Sequence, residues 1–432
     1  TDRQGVPVAI DISGKEGKEK ITDNSNFFCL GPSGSGKSFH MNSVVRQMWE
    51  QNTDVVMVDT GNSYEGPCEY VGGKYISYTE EHPITMNPFR IKREEYNVEK
   101  IGFLKNLIML IWKGSDGTIT KTEDKLIEQT ITEYYENYFN GKIKSLSFNT
   151  FYEFSVETIP RICRDNNLTG IDIASFDFLM KGFYKGGNYE LTLNEDLDTT
   201  LFDETFIVFE IDSIKDNPLL FPIVTLIIMD LFIQKMRIKK NRKVLVIEEA
   251  WKAIASPMMA EYIKYLYKTA RKFWASVGVV TQEIQDIIGS PIVKEAIINN
   301  SDVVMLLDQS KFKERFDDIQ SILGLTEVDC KKIFTINRLD NKEGRSYFRE
   351  VFIRRGQVGA VYGVEEPHEC YMTYTTERAE KEALKLYKSE LKCNHQQAIE
   401  AYCRDWDRSG ITKSLPFAQM VNGKGKVLNL MP

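Results

Sequence analysis

A chain of 432 residues, 42% of them hydrophobic, is long enough for one large domain or two to three ordinary ones, with apolar side chains to fill real cores. Its 62 acidic against 55 basic residues leave a net charge of -7, which excludes a surface built as a whole to grip nucleic acid but not a local basic channel. Seven scattered cysteines with no CxxC pair and four dispersed histidines point to a reduced cytoplasmic setting and away from a zinc site.

The chain opens with neither a methionine nor a signal peptide, so we expect the C-terminal portion of a longer protein. Residues 26–30 form a short apolar run that leads directly into Gly31, Pro32, Ser33, Gly34, Ser35, Gly36, Lys37 and Ser38, and residues 37–50 then read as a helix. Strand, glycine-rich loop and helix in that order are what a phosphate-binding loop requires. Glycines at 31, 34 and 36 allow consecutive N–H groups to turn inward on a polyphosphate, and the positive end of the following helix adds to the field. Lys37 would then reach the β- and γ-phosphates, and the Ser38 hydroxyl would ligate magnesium, so ATP and Mg2+ are the expected cofactors. The competing reading is a chance glycine turn.

A second apolar run, 54–58, ends in Asp59, at the distance expected of a parallel βαβ unit. Asp59 either orients a water or loop near the nucleotide or caps the turn with Gly61 and Asn62. The turn formed by Met86, Asn87, Pro88 and Phe89 is open to a structural or a functional role. From 92 to 194 charged and aromatic residues recur at helical spacing, over 98–112, 123–139 and 148–164, which predicts an inserted helical subdomain that leaves near Gly186 and Gly187.

Strand-like runs return at 206–211, 243–247, 276–280 and 302–307, separated by helices at 219–236 and 260–272. The apolar stretch 219–229 contains Pro222 and Thr225 and is too short to span a bilayer, so it is read as a buried helix. Tyr262, Tyr265 and Leu266, at i, i+3, i+4 spacing, read as packing residues rather than base-stacking ones. Helices are expected at 311–322 and 327–336, strands at 347–354 and 358–362, a helical run at 376–406, and a mobile tail after Gly423.

The run Val244–Val246, Ile247, Glu248, Glu249, Ala250, Trp251 is a strand buried on both faces that delivers two acids at its C-terminal end, where parallel sheets bind ligands. Glu248 would hold magnesium and Glu249 would act as general base on the attacking water. A solvated acidic strand end is the alternative. The next apolar strand ends in Gln282, which either contacts the γ-phosphate or lytic water or merely caps the strand. Arg271, at the end of the helix before it, is either a solvated helix end or a finger reaching a neighbouring subunit's triphosphate. No NKxD follows a strand, since Asn341-Lys342-Glu343-Gly344 lacks the aspartate, and this disfavours GTP.

In this order, the loop GPSGSGKS, the strand VMVDTGNSY, the turn MNPF, the acidic strand VLVIEEAW and the strand VVTQE resemble the ATPases that energise bacterial conjugation and type IV secretion. The likeness is to the TraG-type ATPases of conjugative transposons, relatives of the TraC and VirB-type proteins, and it runs over residues 26–362. The resemblance implies an α/β fold, a RecA-like P-loop core with a mostly parallel sheet, an inserted all-helical subdomain and a C-terminal helical tail. The expected division is 1–91 and 195–375 for the core, 92–194 for the helical subdomain and 376–432 for the helices and tail. It further implies a hexameric ring with ATP at subunit interfaces, peripheral to the cytoplasmic side of the bacterial inner membrane, beside other type IV secretion components. A separate N-terminal docking domain would precede this chain. DNA contact is left open, and no transmembrane segment is read in the chain. Lys37, Ser38, Glu248, Glu249 and Gln282 match the family's motif positions, and Arg271 matches an arginine of the wider ring-translocase group. The departure is Glu248, where an aspartate often stands, which leaves the details of magnesium coordination open. The expected function is a motor for apparatus assembly or substrate transfer. The alternatives are a DNA-pumping ATPase of the coupling-protein or FtsK kind, which would carry membrane helices, and a nucleotide-dependent scaffold that hardly hydrolyses.

Overall fold

The computed structural model describes residues 1–12, 15–16, 19–115, 117–196, 198–249, 257–282, 295, 297–338 and 347–427. The apolar runs become the strands of one large sheet: β1 (Phe27–Leu30), β2 (Thr53–Asp59), β3 (Lys74–Ser77), β4 (Phe206–Glu210), β5 (Arg242–Glu248), β6 (Ala275–Thr281), β7 (Val303–Leu306), β8 (Arg349–Arg355) and β9 (Val358–Val364). Their order is β9-β8-β7-β1-β6-β5-β2-β4-β3. From β7 through to β3 the neighbours are parallel, and β8 and β9 add an antiparallel hairpin at one edge. β1, β2, β4 and β6 are buried along their whole length, which is why they read as continuous apolar runs rather than as alternations.

Side chains of successive strand residues point to opposite faces and so feed two cores. Phe28, Leu30, Val56, Val58, Leu245 and Ile247 face a large core shared with the helices α3 (Val98–Lys113), α4 (Lys121–Phe139), α5 (Phe148–Asp165), α8 (Leu220–Ile238) and α9 (Pro257–Lys272). Phe27, Cys29, Val55, Met57, Val244 and Val246 face the other core, against Met41 and Val45 of α1 (Lys37–Glu50), with Cys68 of α2 (Glu65–Tyr70) in the same cluster. A third cluster joins α12 (His368–Tyr374), α13 (Arg378–Leu391), α14 (His395–Ser409) and α15 (Ser414–Lys424) around Tyr387, Tyr402, Trp406 and Phe417.

Between β3 and β4 the described regular elements are all helical: α3, α4, α5, α6 (Ile173–Met180), α7 (Glu190–Asn194) and two short 3-10 turns. Thr120 starts α4 with a reciprocal cap to Glu123, while Asn97 and Ser147 cap α3 and α5. The turn at Met86 to Phe89 anchors this region. Asn87 Nδ2 donates to the Leu146 carbonyl at 2.9 Å, Phe89 stacks on Phe151 with centroids 5.0 Å apart, and its carbonyl accepts from the Tyr135 hydroxyl at 2.8 Å. This is a structural role. Tyr262 and Leu266 are buried, as their helical spacing predicts.

The stretch read as a buried helix is α8, whose residues are buried almost throughout. Among the described residues no helix is long and apolar enough to cross a membrane. Three boundaries differ from expectation. The helix expected over 311–322 begins as a 3-10 turn, Ser310–Arg315, followed by α10 (Phe316–Leu323), with α11 (Glu327–Ile333) after it. The helical run at 376–406 is two helices, because Lys392 takes a left-handed conformation with φ 48° and Asn394 caps a new start. α15 ends at Lys424, one residue past the expected start of the tail, and residues 428–432 of that tail lie outside the described residues. Asn341 to Gly344 and the Ala250-Trp251 pair lie outside the described residues.

Candidate nucleotide site

β1 lies between β7 and β6, second from one end of the parallel strands, and the loop from Gly31 to Gly36 leaves its C-terminal end. The loop is fixed at its base where the Gly31 N–H donates to the Thr281 carbonyl at 3.1 Å. Gly34 and Gly36 take φ of 80° and 89°, a region that a side chain strains, and Gly36 is the left-handed cap from which α1 starts. A Cβ on Gly31 would stand 2.7 Å from Leu307 and 2.8 Å from Ser35 Oγ. Glycine is therefore required there for packing, without a positive φ. The Ser35 hydroxyl is buried with no hydrogen-bond partner among the described residues. The loop is thus a backbone cradle with a spare hydroxyl, a donor set that fits a polyphosphate.

Strand register brings the predicted acids to the same place. Lys37 Nζ donates to Glu248 Oε1 at 2.8 Å and to Glu249 Oε1 at 2.6 Å, and Ser38 Oγ donates to Glu248 Oε1 at 3.2 Å. Burial alone would push the Lys37 ammonium toward deprotonation, but the two carboxylates outweigh it and hold its pKa above the usual lysine value. They occupy donors that would otherwise face phosphate oxygens. Glu249 has φ 56°, and its N–H donates to the Val280 carbonyl at 3.0 Å, so the chain kinks as β5 ends. A left-handed non-glycine residue costs roughly 1–3 kcal/mol and is kept only where surroundings over-determine it. Gln282 follows Thr281 at the end of β6, half-buried and beside the base of the loop.

Sequence reasoning missed two neighbours, Tyr64 and Glu210. β2 lies between β5 and β4, which lines up Glu248, Asp59 and Glu210 at adjacent strand ends. Tyr64, fully buried, donates its hydroxyl to Glu248 Oε2. Asp59 accepts from Gly61 N–H at 3.1 Å and Ser63 N–H at 2.7 Å, as its turn-capping reading requires. Burial, and then the charges of Glu248 and Glu210, hold the Asp59 pKa well above the usual aspartate value. Glu210 in turn accepts from the N–H groups of Asn62 and Asp212, each at 2.9 Å. Tyr64 closes the stretch VMVDTGNSY without being singled out there, and no motif marks Glu210; their proximity to Glu248 follows from strand order. Tyr64→Phe is expected to raise the magnesium concentration for half-maximal turnover roughly tenfold, by loosening Glu248. An unchanged magnesium titration would remove that role.

Arg271 stands elsewhere. It is exposed in the last turn of α9 and lines a recess of about 250 Å³ with Asn24, Trp274 and Ser276, at the N-terminal edge of β6. The full length of β6, seven residues or about 20 Å at ~3.3 Å per residue, separates that edge from its own loop. It cannot complete its own site.

The model of the TraG P-loop domain family matches residues 1–406. The chain belongs to that family. It is 24% identical over 340 residues to the type IV secretion system protein virB4 of Bartonella henselae, an alignment covering 78% of this chain and 39% of that protein. With protein TraC of Escherichia coli it shares 23% identity over 302 residues, covering 66% and 32% of the two chains. This family member thus spans about a third to two fifths of the length of these relatives. Its fold is similar to VirB4 of Thermoanaerobacter pseudethanolicus, with a TM-score of 0.66 at 21% identity, covering 86% of this chain and 96% of that one. It is similar also to the plasmid coupling protein TrwB in complex with ADP and Mg2+, with a TM-score of 0.50 at 12% identity, covering 79% and 84%. These likenesses bear out the P-loop fold with a mostly parallel sheet.

Proposed function

We propose that this chain is the ATP-hydrolysing part of a type IV secretion or conjugation motor, working as a ring peripheral to the cytoplasmic face of the inner membrane. One observation carries the reading: Lys37, buried within a glycine cradle at the end of a parallel strand, is held by two carboxylates at the end of β5 in the same sheet. The family match and the curated VirB4 and TraC relatives support the setting, and the nucleotide and magnesium bound in TrwB support the cofactors.

In this reading the N–H groups of the loop and the Lys37 ammonium bind the β- and γ-phosphates of ATP in place of the two carboxylates. Ser38 and Glu248 hold Mg2+, which needs few protein ligands because water and phosphate supply the rest. Bound Mg-ATP supplies an activated phosphoryl group. Glu249, released from Lys37, orients the attacking water and accepts its proton, and Gln282 positions that water from β6. Arg271 of a neighbouring subunit completes the site. The DNA-pump alternative draws on the TrwB likeness, which concerns the fold alone.

Lys37→Ala is expected to weaken ATP binding at least tenfold in calorimetric titration and to abolish phosphate release, because the main point charge on the β- and γ-phosphates is gone. Equal ATP affinity in the variant and the parent would sink the assignment.

A further inference from the structure

The charge around the phosphate loop is divided. On the β5 and β2 side stand Glu248, Glu249 and Asp59, with Lys37 among them. On the β7 and β8 side the loop meets cations that the proposed chemistry does not use. Because β8 runs antiparallel to β7, it starts at the same edge of the sheet from which the phosphate loop emerges. Phe352 pairs with Leu306, which sets Arg349, three residues earlier, beyond the end of β7 and level with the loop. The Arg349 side chain reaches Gly36: its Cγ lies 3.8 Å, and its Cδ and Nε 4.0 Å, from where a Cβ on that glycine would be. Its guanidinium is exposed and donates through Nη1 to the Phe348 carbonyl at 2.8 Å, and no carboxylate pairs with it among the described residues.

The segment after β7 is bound to the loop as well. Gln309, fully buried, donates from Nε2 to the Leu30 carbonyl at 3.2 Å and the Leu307 carbonyl at 3.0 Å, and its Oε1 has no partner among the described residues. Lys311, two residues on and exposed, donates to the Ser33 carbonyl at 2.8 Å. Two cations are therefore held against the phosphate loop on the side away from its carboxylates.

We propose that Arg349, assisted by Lys311, binds the nucleotide in cis at the end of the phosphate chain remote from the reacting bond, taking the α-phosphate common to ATP and ADP. The inference rests on the ATPase reading, which puts the γ-phosphate toward Glu249 and thereby turns the other end toward β7 and β8. A guanidinium can give two N–H donors to a phosphate in a fixed fork, while the flexible Lys311 ammonium adds a point charge. Binding energy that is the same for substrate and product lowers KM without changing the chemical step.

The test is calorimetric titration of Mg-ATP and Mg-ADP into the parent chain, Arg349→Ala, Arg349→Lys and Lys37→Ala, with steady-state turnover and thermal melting of each. Arg349→Ala is expected to weaken ATP and ADP equally, roughly tenfold each, raising KM for ATP with kcat and melting temperature unchanged. Arg349→Lys should recover part of the loss. Unchanged affinity of a folded Arg349→Ala for both nucleotides overturns the proposal while leaving the ATPase reading intact, provided Lys37→Ala still loses ATP. A loss confined to ATP, or one that appears in kcat, places the guanidinium at the γ-phosphate and overturns it too. If the parent binds neither nucleotide, the ATPase reading fails and takes the proposal with it.

Discussion

Glu249→Gln is expected to lower ATP turnover by about two orders of magnitude or more while leaving Mg-ATP bound, in line with what a positioned general base contributes. The amide keeps the size of the carboxylate, so the kink at φ 56° and the backbone hydrogen bond to Val280 should survive. Glu248→Gln should act differently. Glu248 takes hydrogen bonds from Lys37, Ser38 and Tyr64 together and is 2% exposed, so its loss disturbs the metal and the loop as well as the base. Phosphate-release assays across a magnesium series separate the two. If Glu248→Gln is the variant that binds normally and fails to hydrolyse, the roles are reversed.

Arg271→Ala is expected to cost about 10³-fold or more in the turnover of an assembled protein, with ATP binding by the monomer unchanged. The residue lies at the edge of the sheet opposite its own phosphate loop, so any catalytic contact it makes is with another subunit's nucleotide. Specific activity of the parent should then rise with protein concentration, and that rise should vanish in Arg271→Ala. Mixing Arg271→Ala with Glu249→Gln should restore some turnover, because one mixed interface pairs an intact carboxylate with an intact arginine. No recovery, with assembly confirmed by light scattering, would leave Arg271 as a solvated helix end.

The parallel core was legible because burial on both faces leaves unbroken apolar runs. β2, β4, β5 and β6 were found within about one residue at each end, and α1 from Lys37 to Glu50 without error. β3 was missed, since Lys74–Ser77 is a short edge strand of mixed polarity with no residue fully buried. The phosphate loop and its two acids were legible because each sits at a strand end marked by its own motif. What escaped was everything that depends on strand order. Tyr64 and Glu210 meet Glu248 only because β2 lies between β5 and β4, and Arg349 meets Gly36 only because β8 runs back along β7. Likewise, the left-handed turn at Glu249 is imposed by Val280 on the next strand, and glutamate carries no local preference for it.

The measurement that tests the central claim most directly is the identity of the nucleotide retained after incubation with Mg-ATP, separation from free nucleotide and extraction. Intact ATP is expected on Glu249→Gln, ADP on the parent chain and little of either on Lys37→Ala. Nucleotide on Lys37→Ala at the level of the parent, or ADP on Glu249→Gln as fast as on the parent, would contradict a site in which Lys37 holds the phosphates and Glu249 activates the water.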